Sequence, residues 1–526
     1  MSKPSLRPTR QARKEHTAHL QAAQRELHRR QAEAGLSQPV PASAKVSNRL
    51  SPWKSEEEKR AGREEAAGAQ LRVWRALVDK LMKDLAKIPD VRQPKKLKHK
   101  LTVLLLHGLL GFVFRMASRR EVNRTVSRPV FFATLRELFP ELESLAHTDT
   151  LNRVLAKLDV AQLETAHVEM LRRLIRNKKF RRYLIDKGHP IAIDGTQKLV
   201  RDGQWWDEQW LERRHESTED GERAEDAEGA RVQQYVYVLE ANLAFHNGLT
   251  IPLLSEFLSY GDGDPDEHQK PDEHKQDCET KAFKRLAARL KKYFPRLPVM
   301  VLLDGLYPNA PVMEQCRDYG WQHMIVLPDK CLPTVWREVE ALRPLQRHHQ
   351  HRRIWRGRRQ HFWWVNAIRY EYDNDRKHVP VHVVVCEESW EEVASDTAEI
   401  VTKSSRHVWI SSEPLRWETV HARCNLGARW RWQGIEDGIQ TEKRRGYCYE
   451  HPFSYNWNAM KGYHYLMRLA HAMNALAQCP KRVAWQVRAL GVGAFLTLVR
   501  ETCANRWLSR QWCRELLATP FQLRLE

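Results

Sequence analysis

The sequence predicts an α/β protein with a β-rich insertion and helical regions at both ends, and three observations predict it. Two short apolar runs, IAIDG (191–195) and VLLDG (301–305), each end in Asp-Gly and read as buried strands. Residues 345–412 hold RIWRGRRQHFWWVNAIRYEY, VPVHVVVC and HVWISS, a β-rich block between α/β segments. Residues 70–185 and those after about 414 carry helical spacing.

Taken in order, residues 1–65 are expected to be a basic arm, disordered or loosely helical. Residues 1–50 hold 10 Lys or Arg against 3 Glu, with little apolar periodicity. Residues 66–186 predict a helical N-terminal domain, since Leu71, Trp74, Val78, Leu81 and Leu85 recur at three- and four-residue steps, and the basic balance of the chain makes DNA its expected partner. Within 187–330, the stretches 232–248 and 249–258 predict the arms of a hairpin turning at His246-Asn-Gly248, and 281–294 predicts an amphipathic helix. Residues 331–412 form the β-rich insertion, 413–480 return to the core, and 481–526 are a C-terminal helical region.

The 526 residues give a soft prior of roughly three domains. A net charge of +21 speaks about partners and favours a polyanion, nucleic acid first. No stretch approaches the roughly 20 apolar residues of a membrane span, and no signal peptide opens the chain, so a cytoplasmic protein with no membrane partner is expected. The nine cysteines are scattered without a CxxC pair, which argues against a zinc ribbon or a disulfide framework.

Asp194 and Asp304 close the two apolar runs. At the C-terminal edge of a sheet a carboxylate meets the crevice where ligands bind. Its oxygens suit a hard cation such as magnesium, although Asp-Gly is also common turn chemistry. A two-metal site needs a third carboxylate. Residues 429–447, RWRWQGIEDGIQTEKRRGY, supply Glu436, with Arg429 and Lys443 seven residues to either side. Seven residues make two helical turns, so the spacing predicts that all three share one face.

These residues resemble the bacterial insertion-sequence DDE transposases, in the group whose signature is called YREK. Ile435-Glu436 and Lys443 match that signature, and DGLY (304–307) matches its Asp-x-x-Tyr after the second strand. The resemblance covers about residues 145–480. It implies a ribonuclease-H-like mixed-sheet core and a catalytic triad of Asp194, Asp304 and Glu436 holding Mg2+, or Mn2+. The signature departs in one place: Arg429 and Trp432 stand where the family has Tyr and Arg. Reading Gly434 as a one-residue insertion moves Arg431 into the Arg role, which leaves Arg429 and Arg431 as alternatives.

The resemblance also implies cutting and joining of double-stranded DNA at transposon ends by metal-assisted phosphoryl transfer. The partners would be those ends and target DNA, bound by a homodimer, and the protein would be nucleoid-associated. Lys443 with Arg429 or Arg431 would neutralise phosphates, and Tyr307 either contacts the backbone or packs. In the insertion, HHQHRRIWRGRRQHFWW (348–364) places five Arg among three Trp, a surface for phosphate and base stacking. Trp355, Arg356, Arg358 and Arg359 are its candidates, and Trp363 and Trp364 serve either as base receivers or as β core. A domesticated or non-catalytic nucleic-acid-binding protein keeping the fold is the alternative.

Overall fold

The computed structural model describes residues 9–36, 53–202, 210–215, 231–259, 278–373, 376–478 and 481–525. Helices α1 (Arg10–Glu33), α2 (Glu56–Leu85), α3 (Leu101–Val113), α4 (Arg119–Val126), α5 (Pro129–Leu138), α6 (Thr148–Leu155) and α7 (Ala161–Arg176) come first. Strands β1 (His189–Asp202), β2 (Leu211–His215), β3 (Arg231–Ala244) and β4 (Thr250–Leu258) follow. Then come α8 (Glu279–Tyr293), β5 (Val299–Leu303), α9 (Ala310–Asp318), β6 (Gln322–Val326) and α10 (Pro333–Leu342). Four long or hairpin strands follow: β7 (Gln350–Trp355), β8 (Arg358–Tyr372), β9 (Lys377–Val393) and β10 (Ile400–Ser411). The chain ends in α11 (Trp430–Gly434), α12 (Thr441–Arg444), α13 (Trp457–Gln478), α14 (Lys481–Leu490), α15 (Val492–Ala504) and α16 (Arg510–Ala518), with π-helical turns at Ala422–Ala428 and Ile435–Gln440. The protein is mixed α/β.

It forms two compact units. The larger takes its described residues from Val46–Leu303, Gln315–Trp321 and Asn425–Glu526. There β1 lies antiparallel to β3 and parallel to β5, and β3 also pairs with β2 and β4. The expected hairpin is present: Gly248 takes φ 90° in the turn, which glycine tolerates without strain, and its N–H donates to the Phe245 carbonyl at 2.9 Å. Helix α13 packs on β4 and on α2, α3, α6 and α7. Its approach to α3 depends on Gly108, where a Cβ would lie 2.5 Å from Leu151 and 3.1 Å from Leu466. Helix α2 begins in a capping box: Ser55 accepts from the Glu58 N–H and Glu58 accepts from the Lys54 N–H.

The β-rich unit takes its described residues from Met1–Lys45, Asp304–Glu314 and Gln322–Cys424. Its strands run antiparallel in the order β6-β10-β9-β8-β7. Arg356 and Gly357, at φ 50° and 75°, make the tight β7–β8 turn, whose positive φ values match strand twist.

The N-terminal arm is helical over Arg10–Glu33, because ion pairs such as Arg29 with Glu26 and Glu33 lace its surface at helical spacing. Helix α1 also meets the β-rich unit, where a His16 ring nitrogen lies 2.8 Å from the Ser395 carbonyl. Strand β1 does not stop at Asp194 but runs on to Asp202, because β3 pairs with it all the way to Gln233. The acidic, Pro-rich stretch 261–277, which its composition marks as a loop, lies outside the described residues.

Candidate active site

Asp194 is partly exposed on β1, two residues beyond Ala192, where the parallel register pairs Ala192 with Leu302 of β5. Side chains alternate along a strand, so Ala192 and Asp194 share one face. Cross-strand partners share it too: Asn242 stands opposite Ala192, Glu240 opposite Asp194, and Ser255 opposite Glu240. The opposite face explains Gly195. A Cβ there would lie 2.5 Å from the Glu279 carboxylate, which accepts from the Tyr237 hydroxyl at 2.5 Å. The Asp-Gly pair at 194–195 is therefore a close approach of the first residue of α8 to a strand, not a turn.

The helical segment 430–444 crosses the Asp194 face. Two glycines let it come close. A Cβ on Gly434 would sit 2.8 Å from the Ala244 Cβ and 3.1 Å from the Ala192 Cβ, and one on Gly438 would sit 3.1 Å from the Asn242 amide. Gly434→Ala is expected to destabilise the protein by about 1–3 kcal/mol through overpacking, read as a lower urea midpoint with unchanged slope.

Arg431 projects from this segment with 6 % of its side chain exposed, and its guanidinium lies 3.5 Å from Asp194. Between the two candidates for the Arg role, this contact favours Arg431. The π turn at Ile435–Gln440 gives the physical reason, since such a turn takes one residue more than the α turn it replaces and so absorbs an insertion. Lys443 lies beyond that turn and pairs with Glu450 at 3.3 Å. Arg429 is half-buried one residue before α11, and Trp432 is exposed. The backbone of Glu436 lies in the π turn, and its side chain lies outside the described residues.

Beneath this surface lies a buried polar network that sequence reasoning missed. Glu240 accepts from Ser255 at 2.6 Å and from the Tyr449 hydroxyl at 2.8 Å, with Arg468 at 3.2 Å. Burial is the largest single influence and raises the Glu240 carboxyl, but Arg468, His464 and the hydrogen bond from Ser255 together outweigh it and hold the carboxyl down to about 2. A carboxyl lowered from 4.5 on folding adds stability that is present above pH 4.5 and lost as pH falls toward 2. Glu240→Gln is expected to flatten the wild-type loss of unfolding free energy between those values in an acid titration. The signal was present only as isolated polar letters in apolar stretches, with nothing to pair them.

In the β-rich unit, Asp304 directly follows β5 in the chain. Its Oδ1 accepts from the Leu306 N–H at 2.9 Å, which fixes the turn, and its side chain remains partly exposed. Tyr307 is fully buried, so it packs rather than contacting a DNA backbone.

The four insertion candidates separate. Arg358 donates to Glu388, whose carboxylate is fully buried, and stacks 3.9 Å from the Trp390 ring centroid. Gln360 and Ser405 donate to the same carboxylate at 2.9 and 3.0 Å. Arg358 is thus held by the sheet. Arg359 is exposed on the other face, and Arg356 stacks on Trp355 at the turn. Trp363 and Trp364 are core: Arg343 covers the first and His349 stacks on the second. Arg358→Ala is expected to cost about 1–3 kcal/mol of stability by stranding Glu388, whereas Arg359→Ala should lower the salt slope of DNA binding by about 1 and leave stability unchanged.

A second cationic feature escaped the sequence reading. Lys178, Lys179, Arg181, Arg182 and Arg524 line a cavity of about 740 Å³ in the larger unit, with the Lys179 ammonium donating to the Leu523 carbonyl at 2.6 Å. The first four are close in sequence, but Arg524 is brought to them only by the fold.

Among the described residues, no group of three or more His, Cys, Asp or Glu side chains is disposed to hold a metal, and no helix is long and apolar enough to cross a membrane. No curated protein matches the chain in sequence. Residues 82–170, which run from the end of α2 into α7, match the family model described as DDE_Tnp_1-associated. That match ends before Asp194, and it suggests a transposase-related protein.

Proposed function

We propose that the chain is a DNA transposase of an insertion sequence, cutting and joining DNA at transposon ends on a ribonuclease-H-like core. The observation that carries this reading is Arg431 against Asp194, on a helical segment that crosses the Asp194 face and also bears Glu436. The mixed sheet, with β1, β3 and β4 antiparallel and β5 parallel to β1, suits such a core. The match at residues 82–170 supports the transposase lineage independently.

Asp194, Asp304 and Glu436 would hold Mg2+, with Mn2+ as a substitute. Partly exposed Asp194 and Asp304 offer hard oxygen donors of the type these ions prefer. When bound, a metal pair supplies activation of the attacking oxygen and stabilisation of the leaving one. The chain's own residues do the rest. Arg431 balances the charge of Asp194 and is placed to meet a phosphate once metal takes the carboxylate. Exposed Arg359 and half-buried Arg356 hold the duplex through its backbone and set the salt dependence of binding. The partners are duplex transposon ends and target DNA, bound by a homodimer.

The test is a cleavage map. Full-length protein with Mg2+ is incubated with a duplex carrying the sequences that flank its own gene, and breaks are located to the nucleotide. Strand breaks at a repeated end leaving a 3′-hydroxyl are expected. A duplex left intact in Mg2+ and in Mn2+, although bound, would mark a non-catalytic DNA-binding protein instead.

A further inference from the structure

The network around Glu240 takes no part in the chemistry proposed above, yet it joins the two elements that chemistry needs held together. Glu240 is the cross-strand partner of Asp194 and shares its face. Glu442 lies in α12, six residues after Glu436 and directly continuous with the π turn that carries it. Both carboxylates are fully buried, and one guanidinium reaches both.

We infer that Arg468 of α13 is a positioning residue that fixes the Glu436 segment against the strand bearing Asp194; this rests on the assignment of those two acids to the active site. Arg468 donates through Nη1 to both oxygens of Glu442 at 3.3 Å. Its Nη2 donates to the Ala241 carbonyl of β3 at 3.0 Å and the Leu254 carbonyl of β4 at 3.3 Å, and lies 3.2 Å from Glu240. A single planar fork therefore ties two strands to α12. The Nδ1 of His471, one turn along α13, sits 2.7 Å from Glu442 and closes the arrangement from the other side.

Two reasons make this a clamp rather than loose packing. Removing Arg468 would leave two buried carboxylates with reduced compensation, a strongly unfavourable state that holds the pairing together. The geometry also needs a guanidinium: an ammonium is a compact point charge that cannot direct separate donors to a carboxylate and two carbonyls. The segment is held at its other end by Arg431 on Asp194 and by the glycine contacts. Arg468 is thus the second anchor, placed after the π turn where helical hydrogen bonding is least regular.

The test uses Arg468→Lys and, as a variant that keeps shape and backbone contacts, Glu442→Gln. Hydrogen exchange on the full-length protein is read over residues 430–444, alongside end cleavage at varied Mg2+. Both variants are expected to speed exchange in that segment while β1 and β3 stay protected. Cleavage at saturating DNA should fall roughly 10- to 100-fold, as misplacement near 1 Å can produce. The Mg2+ concentration for half-maximal rate should rise, with the Kd for DNA unchanged. A purely structural residue would lower the folded fraction without moving the Mg2+ dependence. Wild-type exchange over 430–444 in both variants would overturn the clamp whether or not the protein cleaves DNA. Wild-type protein inert on DNA, with exchange nevertheless accelerated, would instead count against the transposase reading and leave the clamp standing.

Discussion

Asp194→Ala and Asp304→Ala, made singly, are each expected to reduce strand cleavage with Mg2+ by at least ~10³-fold, about 4 kcal/mol of transition-state stabilisation. Glu436→Ala should do the same. DNA binding should survive in all three, because affinity resides in cations that meet phosphates and not in the acids. Removing a carboxylate near Arg431 leaves the local charge more positive, so binding to Asp194→Ala could tighten slightly but should not weaken. The measurement is single-turnover cleavage beside a gel-shift titration on the same duplex. Wild-type-like cleavage by any of the three would remove that residue from the proposed triad.

The second large effect separates two arginines that the sequence leaves as alternatives. Arg431→Ala is expected to lower the cleavage rate about 10²- to 10³-fold, the usual range for losing one aimed donor at a developing charge. Arg429→Ala should lower it far less, since Arg431 is the one 3.5 Å from Asp194. Lysine at 431 should restore only part of the rate, because a point charge does not reproduce a fork at a carboxylate or phosphate. Equal losses for the two alanine variants, in single-turnover kinetics at saturating DNA, would return the Arg role to an open question.

Much of the fold was legible because its signals are local. The hairpin at 232–258 announced itself through Asn-Gly between apolar runs, and β5 through a five-residue apolar stretch ending at Asp304. Long-range pairing was not legible. Strand β1 runs past Asp194 because β3 matches it residue for residue, a fact of register that local spacing does not carry. Gly195 looked like turn chemistry, and only the position of Glu279 reveals why glycine is needed.

The candidate site divides in the same way. Asp194 and Asp304 could be marked from strand patterns, and Glu436 from its neighbours Ile435 and Lys443. The face predicted from seven-residue spacing assumes a regular α repeat, whereas the chain makes a π turn over Ile435–Gln440. Tyr307, which its motif leaves open between a backbone contact and packing, is buried, and Arg358 is tied to Glu388. Arg468, Glu442 and Glu240 were invisible, because a buried ion network becomes meaningful only when its members from three elements are brought together.

A chain that both cuts and joins DNA leaves joined products, which sequencing reads out. Full-length protein, Mg2+, a duplex bearing the gene's own flanking ends and a supercoiled target plasmid are combined, and new junctions are read individually. The account predicts junctions in which the 3′ end of the flanking sequence is linked to plasmid DNA, present with wild type and absent with Glu436→Gln. Cleaved ends without any junction, or junctions equally frequent with Glu436→Gln, would contradict it.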